Sequence, residues 1–352
     1  MLHDDIRSAV FDSRELALKS HLSIPDPEFL PLIAQVPTIP LEDVKVLRDS
    51  QRKWNAQRRE SLKDRLPAES AYRVEDHKIA VEDGEITVRC LTPTTGDAEE
   101  RFPLLIWFHA GAFIFGDLDM DDYYLRIMCV EHHLSIVNVD YRLAPEHVHP
   151  IPWEDAYTAT KWVVRNGSLL SASFEKGFIL GGGSAGASLT VTVACRARDD
   201  LFFRETPITG QVLQSPSLLH PDGPVEEKYR SELLSMEQHK DGPLLTRDLI
   251  IAMAGMTKLP ISDPRYTVLL QPSHTGMPPI YMQVAGMDLL RDEELLYAKL
   301  LDQAGVATRV DVYPGVPHFF HYFLPQLTIS VKADKDLNNG IRWLLGLTDA
   351  KA

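Results

Sequence analysis

Basic residues are in short supply in this sequence: 36 Lys and Arg stand against 50 Asp and Glu, a formal net charge of −14. A field of that sign repels phosphate backbones, and nucleic-acid binding rests on cationic patches, so that class of partner is not expected. Cysteine is scarce as well, with three residues, Cys90, Cys129 and Cys195. An odd set without C-x-x-C spacing describes neither a disulfide framework nor a zinc site; all three read as small buried hydrophobes. No apolar run approaches the length that crosses a bilayer. The start, Met1-Leu-His-Asp-Asp5, has no basic patch leading into an apolar stretch, so no secretory signal is read. The expectation is a cytoplasmic protein without stable membrane insertion. Internal repeats and low-complexity segments are missing too.

What is present suits a large core. The chain has 352 residues, 44% of them hydrophobic, enough for one big α/β unit and a smaller appendage. Residues 1–70 are polar and divided by prolines. Val44, Leu47 and Trp54 fall on one side of a helix there. So few apolar residues cannot make a core alone, and the segment reads as a helical cap lying on the rest. From about Tyr72 the pattern changes. His77–Cys90 alternates as a hairpin does, with Asp83-Gly84 at its turn. Strand-length apolar runs follow at Pro103–Phe108, Ser135–Val139, Gly177–Leu180, Ile208–Gln214, Pro279–Val284 and Thr308–Tyr313. Helical patterns separate them at about Tyr123–His133, Glu154–Val164, Ala187–Arg198 and Arg291–Ala304, with a last one at Lys332–Leu345. Buried strands alternating with helices predict a mostly parallel sheet covered on both faces, eight-stranded with the hairpin. One excursion breaks the rhythm. Residues 215–271 are rich in proline and charge and lie between two strands, as a functional lid would. The chain is thus divided into an N-terminal cap segment (1–70), a core (71–214 and 272–352) and a cap insertion (215–271).

The most informative segment is Gly177-Phe-Ile-Leu-Gly-Gly-Gly-Ser-Ala-Gly-Ala187, an apolar strand running into G-x-S-x-G with a helix just after. A nucleophilic hydroxyl has to project from a tight turn with little room for a neighbouring Cβ. That explains Gly182 and Gly186 on either side of Ser184. The helix start behind it offers free N–H groups and a positive dipole end for developing negative charge. A phosphate-binding glycine loop would look similar, but the P-loop lysine and the second spaced glycine of a dinucleotide fingerprint are absent.

Upstream, a strand ends in Trp107-Phe-His-Ala-Gly-Ala-Phe113, where esterases of this type aim backbone amides at an oxyanion. With Asp140-Tyr-Arg-Leu-Ala-Pro-Glu146, Gly182-Gly-Ser-Ala-Gly186, and Gly286-Met-Asp-Leu-Leu290 with Pro317-His-Phe319, this makes four blocks in order. On them the chain resembles the hormone-sensitive-lipase-like branch of the α/β-hydrolases over roughly Ile79–Leu345. The resemblance implies the α/β-hydrolase fold with an N-terminal helical cap. It places oxyanion donors on the N–H groups of Gly111, Ala112 and Ala185, and makes His109 a structural residue tying the loop down. It also allows a homodimer through the sheet edge at Thr308–Tyr313. Two positions depart from the family. Ala110 and Ala112 replace glycines, so the loop either keeps ordinary backbone angles or carries strain. Gly183 stands where an acidic or hydroxyl residue is common.

A serine needs a base. Of thirteen histidines, His318 follows the last strand in a proline-rich loop delivered to the edge of the nucleophile turn. Asp288 ends the preceding strand and can orient that imidazole, and the chain order Ser, Asp, His is the one this fold uses. Asp292 and Glu293 read as solvated first-turn charges. His147 and His149 lack further ligands for a metal and read as structural. Asp140, Arg142 and Glu146 read as a buried network bracing the oxyanion loop. The expected activity is cofactor-free and metal-free hydrolysis of small to medium, apolar, uncharged carboxylic esters. Two alternatives use the same fold: thioester, lactone or ring-closing chemistry on the same constellation, or a non-catalytic binder, which the presence of His318 disfavours.

Overall fold

Strand-forming segments rich in Val, Ile, Leu and aromatic residues assemble into one sheet. The computed structural model describes residues 19–347 apart from positions 38, 42, 96 and 98, so the first eighteen residues of the expected cap segment lie outside the described residues. The strands are β1 (Tyr72–Val81), β2 (Gly84–Pro93), β3 (Leu104–Phe108), β4 (Ser135–Asp140), β5 (Phe178–Gly183), β6 (Gly210–Gln214), β7 (Ile280–Ala285) and β8 (Thr308–Tyr313), in the order β1-β2-β4-β3-β5-β6-β7-β8. β2 pairs antiparallel with β1 and β4; the remaining pairs are parallel. Every residue of β3, β5, β6 and β7 is buried, as expected for strands covered on both sides.

Helices supply the cover. They are α1 (Val44–Leu62), α2 (Asp122–Glu131), α3 (Ile151–Arg165), α4 (Ala185–Asp199), α5 (Ser235–Gln238), α6 (Arg247–Thr257), α7 (Arg291–Gln303), α8 (Phe320–Phe323) and α9 (Thr328–Leu344). Residues of α3, α4 and α7 share one core cluster with the sheet, and residues of α2 and α9 share a second. No helix among the described residues is long and apolar enough to cross a membrane.

The hairpin turn lies one residue earlier than predicted. Val81 pairs with Gly84, so Glu82 and Asp83 form the loop and Gly84 opens β2. Asp83 itself takes the left-handed φ of 55°, which a short polar side chain tolerates.

Two segments outside the sheet pack over the loops at one of its edges. Asp43 caps α1, accepting hydrogen bonds from the amides of Lys45 (2.8 Å) and Val46 (3.2 Å). Leu47 is buried, worth about 2 kcal/mol of transfer free energy, and Trp54 packs edge-on against Phe115 and Phe323. The 215–271 excursion contains α5 and α6. Thr246 caps α6 through its hydroxyl oxygen, and Lys258 ends it at φ 53°.

Candidate active site

The parallel strands β5, β7 and β8 carry their carboxyl ends to one edge of the sheet, and the three predicted side chains meet there. Ser184 stands between β5 and α4 at φ 49°, ψ −115°. For a residue with a Cβ this conformation costs on the order of 1–3 kcal/mol. The surroundings hold it: its N–H donates to the carbonyl of Gln214 (2.7 Å). A Cβ on Gly186 would lie 1.9 Å from the Phe108 carbonyl oxygen and one on Gly182 2.5 Å from it, so only glycine lets the turn approach β3. His318 Nε2 is 2.9 Å from Ser184 Oγ, and its Nδ1 is 2.6 Å from Asp288 Oδ2. The other Asp288 oxygen accepts the amide of Leu290 (3.0 Å). A carboxylate only accepts, so His318 Nδ1–H donates to it and Nε2 is left to accept the Ser184 hydroxyl proton. Asp288 is 1% exposed and His318 7%, a pair shielded from bulk water.

The loop after β3 carries the predicted donors. Gly111 has φ 122°, Ala112 φ 52° and Phe113 φ 62°, whereas Ala110 is not among the residues at positive φ. Of the two alternatives left open for the alanines, Ala112 thus carries strain and Ala110 does not. The Gly111 carbonyl accepts from Ile114 (2.9 Å) and Phe115 (3.0 Å), and that of Phe113 from Ala144 (2.8 Å). The amides of Gly111 and Ala112 have no hydrogen-bond partner among the described residues. Ala185, the first residue of α4, has no intrahelical acceptor for its own N–H. All three border the same cavity as Ser184 and His318.

His109 is fully buried, and its Nδ1–H donates to the Ala110 carbonyl (2.7 Å). Burial pushes this imidazole down to about 4, so it is neutral at ordinary pH. The residue clamping it was passed over in the sequence. Tyr141 stacks on the ring at 4.2 Å and donates its hydroxyl proton to the His109 carbonyl (2.7 Å). Its one signal in the sequence is its place inside the Asp140–Glu146 block.

Of the charges in that block only Glu146 takes part in a brace, and it does so indirectly through Arg48. Arg142 turns to Asp155 (2.7 Å) and to the Glu82 carbonyl (3.0 Å). Glu146 faces solvent and pairs with Arg48 (2.8 Å). Asp140 stands apart, its carboxyl raised to about 6 by burial. The direct support comes from α1, where Arg48, held by Glu146, donates to the carbonyls of Ile114 (3.1 Å) and Ala144 (3.0 Å). No local pattern pairs residue 48 with residues 114 and 144.

Asp292 and Glu293, expected to face solvent, are both buried. Asp292 accepts from Arg291, Lys19 and the amides of Leu234 and Ser235. Glu293 accepts from the amides of Leu218 (2.6 Å) and Leu219 (3.2 Å), and burial raises it to about 8. The 215–271 excursion folds over the start of α7 and converts surface positions into interior ones. His149 lies outside the site, edge-on to Tyr266 at 4.0 Å, and burial lowers it to about 4.

The cavity over Ser184 holds about 850 Å³ of empty space including its mouth. Ile39 comes from the N-terminal segment, Leu245, Ile250 and Met253 from the excursion, and Phe113 and Phe319 from the core. Among the described residues, no Asp, Glu, Lys or Arg lines it. The interior suits an apolar, uncharged ligand.

A mostly parallel eight-stranded sheet with a serine on the strand–helix turn of a central strand is the architecture of the α/β-hydrolases. The family model described as alpha/beta hydrolase fold matches residues 105–322. The chain belongs to that family. Among solved structures it is similar to vibralactone cyclase, with a TM-score of 0.89 and 38% identity over 94% of this chain and 97% of that one. It is also similar to an esterase from Pyrobaculum calidifontis, with a TM-score of 0.77 and 29% identity over 91% and 99% of the two chains. A curated relative, versiconal hemiacetal acetate esterase of Dothistroma septosporum, is 34% identical over 250 residues, 70% of this chain and 75% of that protein.

Proposed function

We propose that this carboxylic ester hydrolase acts by two-step acyl transfer on Ser184. The observation that carries the reading is the unbroken hydrogen-bond chain from Ser184 Oγ through His318 to Asp288. Ser184 attacks the ester carbonyl as His318 Nε2 takes its proton, and Asp288 stabilises the imidazolium. The oxyanion is received by the amides of Gly111, Ala112 and Ala185, each such donor worth roughly 3–4 kcal/mol of barrier. His318 returns the proton to the departing alcohol. Water then enters by the same route, releasing the acid and regenerating the serine.

The apolar lining supports small to medium uncharged esters as substrates. Segments 1–70 and 215–271 act as the cap in this reading, since both contribute cavity walls. Buried thiols at Cys90, Cys129 and Cys195 suit a cytoplasmic setting, and the open edge of β8 is where two copies would pair. A Ser184→Ala protein should lose ester turnover while keeping its fold; turnover at the original rate would refute the assignment.

A second reading is favoured by the likeness to vibralactone cyclase. The acyl-enzyme forms in the same way, but a nucleophile within the substrate displaces Ser184 in place of water, closing a ring. Product analysis in ¹⁸O-labelled water separates the two: hydrolysis places the label in the released acid, and ring closure does not.

A further inference from the structure

The residue after the catalytic-site histidine takes an unusual backbone conformation. Phe319 has φ 52°, a left-handed angle uncommon for any side chain and strained for a bulky one. It is nevertheless 4% exposed and held from several sides. Its ring stacks on Tyr322 at 5.5 Å and meets His321 edge-on at 4.6 Å. With Ala110, Met120 and Tyr322 it forms a separate apolar cluster at the cavity wall.

The ring occupies a space defined by another residue. A Cβ built on Gly183 would lie 2.4 Å from Phe319 Cε2 and 2.7 Å from Cζ, with Ala110 Cβ a further neighbour at 3.6 Å. Any side chain at position 183 therefore collides with the ring. Gly183 has no requirement for a positive φ of its own. Its lack of a side chain is explained by the ring that stands there.

We infer that Phe319 is a specificity-determining residue that walls the alcohol side of the site and limits the breadth of the leaving group. The inference rests on the acyl-transfer reading above. In that reaction the leaving oxygen must reach His318 Nε2 to be protonated. The Phe319 ring is the next side chain along, 6.2 Å from the imidazole, spanning the gap between the nucleophile turn and the oxyanion loop. Ile250, Met253 and Leu245 of the 215–271 excursion line the same cavity, which Phe319 borders from the core. A strained backbone retained to hold an apolar ring beside the leaving group makes that ring a size filter.

The test uses two ester series on the full-length protein. One keeps the acyl group and varies the alcohol from ethyl to isopropyl to tert-butyl; the other keeps ethanol and branches the acyl chain. In F319G and F319A, kcat/KM for the branched alcohols relative to ethyl should rise by at least about tenfold, the scale of a few methylene-sized contacts. The acyl-branching ratio should stay within about threefold. G183A, which pushes the ring toward the cavity, should lower the branched-alcohol ratio. If the truncated variants fail to fold, F319L keeps most of the packed volume and should move the ratio in the same direction. An unmoved alcohol ratio, or a change confined to the acyl series, overturns the inference. Labelling of Ser184 by a methyl fluorophosphonate in each variant keeps the two claims apart. Labelling with unmoved ratios rejects the wall alone, whereas no labelling even in the unmodified protein rejects the nucleophile.

Discussion

Tyr141 lies nearly parallel to the imidazole of His109, 4.2 Å away with an interplanar angle of 12°, and holds the carbonyl of the same residue through its hydroxyl. The pair fixes the start of the loop after β3 from two directions. Tyr141→Phe keeps the stacked ring and removes only the hydrogen bond. It should lower kcat by about tenfold, a transition-state effect of some 1.4 kcal/mol, with little change in KM. Steady-state kinetics on a short ester checks this; a rise in KM at constant kcat would place Tyr141 in ground-state binding instead.

Strain at Ser184 makes a stability prediction. Ser184 and Ala112 both occupy positive φ, at 49° and 52°. Ser184→Gly should be more stable than Ser184→Ala by on the order of 1 kcal/mol, because relief of strain outweighs glycine's entropy cost in the unfolded chain. Thermal unfolding of the two variants should differ by about 2 °C in favour of glycine. The opposite order would show that the elbow is not strained.

Glu293 gives a pH dependence with a definite sign. Its folded value is raised to about 8 from an ordinary 4.5, chiefly by burial. Between those values the unfolded chain has lost the proton that the folded protein keeps. This group therefore contributes stability that is full below pH 4.5 and declines as pH rises toward 8. Glutamine accepts the same two amides without titrating. The stability advantage of Glu293→Gln over the unmodified protein should grow from pH 5 to pH 8 in denaturant titrations. A constant difference would mean that Glu293 is ionised in the fold.

His109 slopes the other way. Its folded value, about 4, lies below the ordinary 6.5 because the ring is buried. Its contribution is full above pH 6.5 and is lost as pH falls toward 4, where the unfolded chain takes up a proton that the folded ring refuses. Acid unfolding should be less steep over that window in His109→Asn, and an unchanged slope would show that the imidazole is charged in the fold.

Much of the fold was legible because its signals are local. The strands are short buried apolar runs, and Thr308–Tyr313 matches β8 at both ends. The elbow was equally plain, since a tight strand–turn–helix demands its small residues nearby in the chain. Failures came where distant segments decide. Asp292 and Glu293 carry first-turn charges that any isolated helix would leave in water, and the fold of residues 215–271 over α7, with Lys19 on Asp292, encloses them. Arg48 reaches across to Ile114 and Ala144, separations of 66 and 96 residues that no periodicity encodes. The hairpin slipped by one position because Asp83 took the angle usually reserved for the glycine beside it.

The central claim is that Ser184, made nucleophilic by His318, forms the covalent acyl-enzyme. Stoichiometric labelling with a fluorophosphonate followed by peptide mapping tests it most directly. The account predicts one label per chain on the peptide containing Ser184, none in Ser184→Ala, and labelling slowed by about a thousandfold or more in His318→Ala. Attachment to another residue, or undiminished labelling without His318, would contradict it.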